Sequence, residues 1–160
     1  MFFASDNGSG VPEAVLASLA RANAGPTRGY GNDPLTVRVH DRVRAVFEAP
    51  QAAVHLVATG TAANALALAC LCPPWAAVFA HADAHAIVDE CGAPEFYTAG
   101  AKLVPVAGEH GRMTPEGLAG AIATTGRVGV HSVQPGAVSL TNATEAGTVY
   151  RPADVAEIGG

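Results

Sequence analysis

Apolar positions recur at helical spacing early in the chain. Leu35, Val39, Val43, Val46 and Phe47 form one stripe that runs through Glu48, behind an Asp33-Pro34 pair. That is the pattern of an amphipathic helix with a capping carboxylate and a proline at its first position. An earlier helix is predicted over 12–23, with Ser9 or Gly10 near its start, Pro12 in its first turn and Gly25-Pro26 ending it. Between the two lies "RGYGNDP" at 28–34, a loop punctuated by glycine. Arg38, Arg42 and Arg44 alternate with the apolar stripe and read as a solvated face.

From residue 53 onward the period changes. "AVHLVA" at 53–58 has the pattern of a strand. "TGTAAN" follows, and then an alanine- and leucine-rich helix runs to Cys72, where Pro73-Pro74 stops it. Further strands are predicted at 76–80, 102–106, 128–133 and 137–140. One helix opens at Thr114-Pro115-Glu116 and runs through Ile122, and a last one opens at Arg151-Pro152. Strands alternating with helices predict an α/β fold with a parallel sheet and crossover connections. The last helix spans barely two turns with no returning strand, so the pattern leads one to expect a domain that continues in a longer protein.

Composition narrows the function classes. The chain has 160 residues, the size of one typical domain, with 49% hydrophobic and 14% charged residues. The net charge of −5 without a basic run gives no attraction to a phosphate backbone, so no nucleic-acid partner is expected. Three cysteines, Cys70, Cys72 and Cys91, fit a reduced, cytoplasmic setting better than a disulfide framework. The start "MFFASDNGSG" has no basic n-region and no long apolar run, so no signal peptide is expected. The most apolar stretch, 58–80, is broken by Gly60, Asn64 and Pro73-Pro74, so no membrane span is expected either.

Two segments carry chemistry. Gly60-Thr61-Ala62 lies where a strand turns into a helix, and the first amides of a helix lack internal partners and favour anions. Gly60 leaves room for a phosphate and Thr61 adds a hydroxyl. Neither the P-loop nor the Gly-x-Gly-x-x-Gly pattern is present. The second segment is "HADAHAIVDEC" at 81–91. His81, Asp83 and His85 alternate, and in an extended segment they share a face that suits zinc. The competing reading makes Asp83 an N-cap and His85 part of the first turn of a helix.

A wider pattern then emerges. "FASDN" at 3–7, "YGNDP" at 30–34, "TGTAAN" at 59–64, "HADAHAIVDECGAPE" at 81–95, "GAKLVPV" at 100–106 and "NATEAGTVY" at 142–150 occur in this order. Together, over essentially the whole chain, they resemble the N-terminal part of the low-specificity threonine aldolase and β-eliminating lyase family. The resemblance implies a pyridoxal-phosphate enzyme with the three-layer α/β/α large domain of fold type I, the aspartate aminotransferase-like fold. On this view 1–160 is the N-terminal part of that cofactor-binding domain. The implied reaction cleaves β-hydroxy-α-amino acids such as threonine to glycine and an aldehyde.

The resemblance also assigns roles. Gly60, Thr61 and Ala62 would hold the cofactor phosphate, His85 would stack on the pyridine ring, and Asn142 would lie near the cofactor. His85 and His131 would stand near the substrate β-hydroxyl as candidate bases, with Glu90 orienting His85 or a water. Ser5 would contact the substrate carboxylate. Tyr30 would line the pocket from a neighbouring subunit, which implies a homo-oligomer, a dimer or tetramer. The family's cofactor-bearing lysine follows an Asp-Gly-Ala-Arg segment that this sequence does not contain. The one lysine here, Lys102, does not match it, and Gln134 and Gly136 fall where some relatives carry basic residues. The expectation is therefore a chain inactive alone. The competing expectation is a non-catalytic remnant acting in assembly or phosphate-ligand binding.

Overall fold

Two compact units divide the chain, Met1–His55 and Leu56–Gly160. A computed structural model describes residues 8–160. In the first unit, α1 (Glu13–Ala22) and α2 (Pro34–Val46) fall where the apolar stripes predict them. Asp33 caps α2 as expected, its carboxylate accepting from the amides of Leu35 and Thr36, each at 2.9 Å. Neither helix buries a residue. The loop between them turns at Tyr30 and Gly31, whose φ values are 60° and 75°.

The strand expected at 53–58 does not form. A strand exists only through a neighbour's hydrogen bonds, and none of the strands among the described residues runs beside this segment. Alternating hydrophobicity alone cannot supply that partner.

The second unit opens with α3 (Gly60–Leu71) and continues through β1 (Ala76–His81), two short helices, α4 (His85–Val88) and α5 (Ala93–Tyr97), and β2 (Lys102–Val106). A two-residue hairpin follows, β3 (Gly108–Glu109) with β4 (Arg112–Met113), and then α6 (Pro115–Thr125), β5 (Gln134–Ser139) and α7 (Pro152–Gly159). The main sheet is parallel in the order β2-β1-β5, with Ala77 opposite Lys102 and Ala76 opposite Gln134. Central β1 is buried at all six positions, as a strand covered on both faces must be. The prolines sit on the outer strands, Pro105 in β2 and Pro135 in β5, where a missing ladder donor is tolerated.

Side-chain alternation along β1 sorts the core into two layers. Ala76 and Val78 pack with Leu68 of α3, with Cys72 just after that helix and with Ala101. Ala77 and Phe79 pack with Val106, Met113 and Leu118 of α6, with Ile158 of α7 closing that side. The result is helix, sheet, helix. Gly136 lets β5 lie close to this packing: a Cβ there would stand 2.7 Å from the Ala76 Cβ and 3.2 Å from Cys72 Sγ.

Two local expectations change, and one further element is present. Residues 128–133 do not form a strand. They contain a 3₁₀ turn at Gly129–His131, and β5 begins only at Gln134. Asp83 does not cap α4. The residue before the helix is Ala84, and Asp83 instead donates its amide to His81 Nδ1 at 3.1 Å. The hairpin at 108–113 was not anticipated. It turns at His110 and Gly111, both at positive φ (55° and 79°), the geometry of a tight two-residue hairpin loop. The longest helix of 58–80 is the twelve-residue α3, and no helix among the described residues is long and apolar enough to cross a membrane.

Candidate active site

His85 is the first residue of α4, just past the C-terminal end of β1. In a parallel α/β sheet that end is where connecting loops collect functional side chains. Beyond α4 the chain reverses through Cys91 and Gly92, both left-handed at φ 52° and 72°. The reversal turns Glu90 inward, and its side chain is only 1% exposed.

A buried carboxylate needs donors, and two side-chain nitrogens converge on one oxygen. Asn64 Nδ2 donates to Glu90 Oε1 at 2.7 Å, and His85 Nδ1 lies 3.1 Å from the same atom. On its other side His85 Nε2 lies 3.6 Å from Asp89 Oδ2, an exposed group. The imidazole itself is 42% exposed. It is thus held from beneath and open above.

Asn64 leads back to the helix start. It lies four residues after Gly60, and positions i and i+4 share a face of a helix. At that start Thr59 Oγ1 accepts from the Ala62 amide and the Thr59 carbonyl from the Ala63 amide, both at 3.1 Å. The amides of Gly60 and Thr61 have no acceptor among the described residues. Nothing lies within 4 Å of the point where a Cβ on Gly60 would stand. Two open amides, the Thr61 hydroxyl and the dipole of a three-turn helix suit an anion such as a phosphate. The Ala62 amide is already engaged, so its expected share in that cradle falls to Gly60 and Thr61.

The zinc arrangement is not formed. His81 is buried, and both ring nitrogens have partners: Nδ1 accepts from the Asp83 amide, so Nε2 carries the proton that meets Gly108 O at 3.2 Å. No group of three metal-ligating side chains occurs among the described residues.

The remaining expected residues separate. His131 precedes β5, and the strands are parallel, so it stands at the opposite end of the sheet from His85. Six residues of strand put roughly 20 Å between those ends, and His131 is corrected out of the His85 group. Lys102 opens β2 opposite Ala77, near that same far end. Asn142 lies after the C-terminal end of β5, but both ends of its amide hold the Tyr150 backbone, each at 3.1 Å. It closes the 142–150 loop. Tyr30 belongs to the first unit, where its side chain is fully exposed. Ser5 lies outside the described residues. A cavity of about 310 Å³ between the hairpin and α7, lined in part by Glu109, Arg112, Tyr150 and Asp154, shares no residue with the His85 group.

Asn64 is the residue that sequence reasoning missed. The signal was there: it is the one amide in a run whose other polar side chain is Thr61, "GTAANALALACL".

The sequence matches the beta-eliminating lyase family over residues 3–160. The chain belongs to that family. The chain is 45% identical over 156 residues to a low specificity L-threonine aldolase of Pseudomonas aeruginosa, and 41% identical to another from a Pseudomonas species. Each alignment covers 98% of the chain and 44% of the relative, so the chain spans under half the length of these curated relatives. Among solved structures it matches the threonine aldolase of Leishmania major with a TM-score of 0.86 at 29% identity. That match covers 94% of this chain and 43% of the other. The expected fold type I α/β/α arrangement with a parallel sheet is therefore the fold of this family member.

Proposed function

We propose that this chain forms the N-terminal part of the cofactor domain of a pyridoxal-phosphate-dependent aldehyde-lyase. The enzyme would cleave β-hydroxy-α-amino acids such as threonine to glycine and an aldehyde. The observation that carries this reading is the continuous link from the α3 N-terminus through Asn64 and Glu90 to His85. It puts an anion cradle and a flat, half-open imidazole on one support. The names of the relatives add the substrate class.

The residues fit the cofactor. Gly60 and Thr61 would bind its phosphate through open amides and the Thr61 hydroxyl. His85 would lie against its ring. The chemistry supplied by bound pyridoxal phosphate is an electron sink for the pair left when Cα–Cβ breaks. His85, or a water it holds, would take the proton from the substrate β-hydroxyl, with Glu90 keeping the imidazole in place. Ser5 would contact the substrate carboxylate, Tyr30 would line the pocket from a second subunit, and Asn142 would shape the loop beside it. Apolar side chains left exposed on α1 and α2, such as Leu16, Leu19 and Val46, support a homo-oligomer. The three free cysteines support a reducing, cytoplasmic setting.

Lys102 stands at the wrong end of the sheet to anchor a cofactor at His85. This chain by itself would therefore bind the cofactor without a covalent link, and turnover would need a lysine from outside residues 1–160. The same observation favours the second reading, a non-catalytic chain that binds a phosphate ligand. Spectroscopic titration with pyridoxal phosphate tests the shared step. Saturable binding that inorganic phosphate competes away, weakened at least tenfold in His85→Ala, is expected. Non-saturable binding, or binding indifferent to both His85→Ala and phosphate, overturns it. Release of acetaldehyde from threonine, assayed with a lysine-bearing C-terminal half of a relative supplied in trans, separates the two readings.

A further inference from the structure

Glu90 is a buried carboxylate held by one oxygen. Its Oε1 makes both side-chain contacts, to Asn64 Nδ2 and His85 Nδ1, while Oε2 is buried with no partner. Whatever fixes this carboxylate in place must therefore act at Oε1. The shorter contact there, 2.7 Å, comes from Asn64 and not from His85. An amide facing a carboxylate turns its NH₂ inward, since its own oxygen would be repelled.

We propose that Asn64 is a positioning residue that, by anchoring Glu90 Oε1, fixes the proton of neutral His85 on Nδ1. The proposal deepens the reading above, on which its catalytic meaning rests. With Asn64 donating to Oε1, that atom is the acceptor in its second contact as well, and His85 Nδ1 is the donor. The lone pair then resides on Nε2, the nitrogen beside exposed Asp89 at 3.6 Å. The half-open imidazole thus presents a base at Nε2 and not at Nδ1. Asp89 and Glu90 are the acidic groups within 4 Å of the ring among the described residues, and α3 carries no charged residue. Without Asn64, the terminal torsion of Glu90 is broad and soft, so Oε1 is free to leave Nδ1.

Long-range ¹H–¹⁵N NMR of the His85 ring, in the 160-residue chain above its titration, reads the tautomer directly. The wild-type chain is expected to show Nδ1 protonated and Nε2 bare. In N64A the ring should shift to a mixture rich in the Nε2–H form, and E90A should do the same by removing the acceptor. A wild-type ring with the proton on Nε2 overturns the proposal. So does an N64A ring that keeps the wild-type signature while E90A loses it. The wild-type spectrum decides the first point even if a variant fails to fold. Pyridoxal phosphate titration of the same sample is a separate readout: its failure removes the functional reading and leaves the tautomer result standing.

Discussion

Residues 8–55 and 56–160 differ in what makes their elements. The first unit has two helices with sound local signals, and neither buries a single side chain. The second holds the two core clusters, one on each face of β1. A cap, a proline and an apolar stripe can write a helix into a sequence without giving it anything to pack on. Strands behave in the opposite way. β1, β2 and β5 exist because they have each other, while 53–58, with an equally strand-like pattern, has no neighbour and no ladder.

The largest contrast should come from truncating the cores. Phe79→Ala removes a fully buried ring from the α6-facing cluster and should cost about 3–5 kcal/mol in urea unfolding. Leu19→Ala on α1, at a position 59% exposed, should cost no more than about 0.5 kcal/mol in the isolated chain. Comparable losses at both positions would mean that α1 is covered in solution, as a homo-oligomer requires. Gly136→Ala comes next: the new methyl meets Ala76 Cβ at 2.7 Å, and overpacking of this kind costs about 1–3 kcal/mol.

A smaller effect is expected at the α2 cap. Asp33→Ala leaves the amides of Leu35 and Thr36 without their acceptor and should cost about 1 kcal/mol. Hydrogen exchange should speed up in the first turn of α2 and stay unchanged in β1. If β1 responded too, the units would not be independent in stability. The smallest effect is acid sensitivity at α7. Hydrogen bonds from the Arg151 side chain and backbone pull the Asp154 carboxyl down to about 2 from an ordinary 3.8. The folded value lies below the unfolded one, so this support is present above about pH 4 and is lost as pH falls towards 2. Asp154→Asn should flatten that part of the pH–stability curve. An unchanged curve would show the pair to be inert.

Legibility in the sequence follows the same divide. Local rules placed α1, α2, α3, β1 and β2 within a residue or two, because caps, prolines and apolar runs mark their ends. They misplaced 128–133, where apolar alternation belongs to a 3₁₀ turn that leads into β5. They missed the 108–113 hairpin, whose strands are only two residues each. For the site, motif order identified the family and singled out Gly60, Thr61, His85 and Glu90. It also paired His85 with His131, which only strand direction could separate. Asn64 stayed invisible for a related reason: its partner Glu90 is 26 residues away, and no local pattern links a helix's second turn to a buried carboxylate after a later strand.

The central claim is that a phosphate sits on the open amides of α3 while a ring lies against His85. Amide and imidazole chemical-shift mapping during a titration with pyridoxal phosphate tests it most directly. The account predicts that Gly60, Thr61 and the His85 ring shift first and saturate together. Shifts gathered instead around Lys102, or in the cavity beside Arg112 and Tyr150, would contradict it.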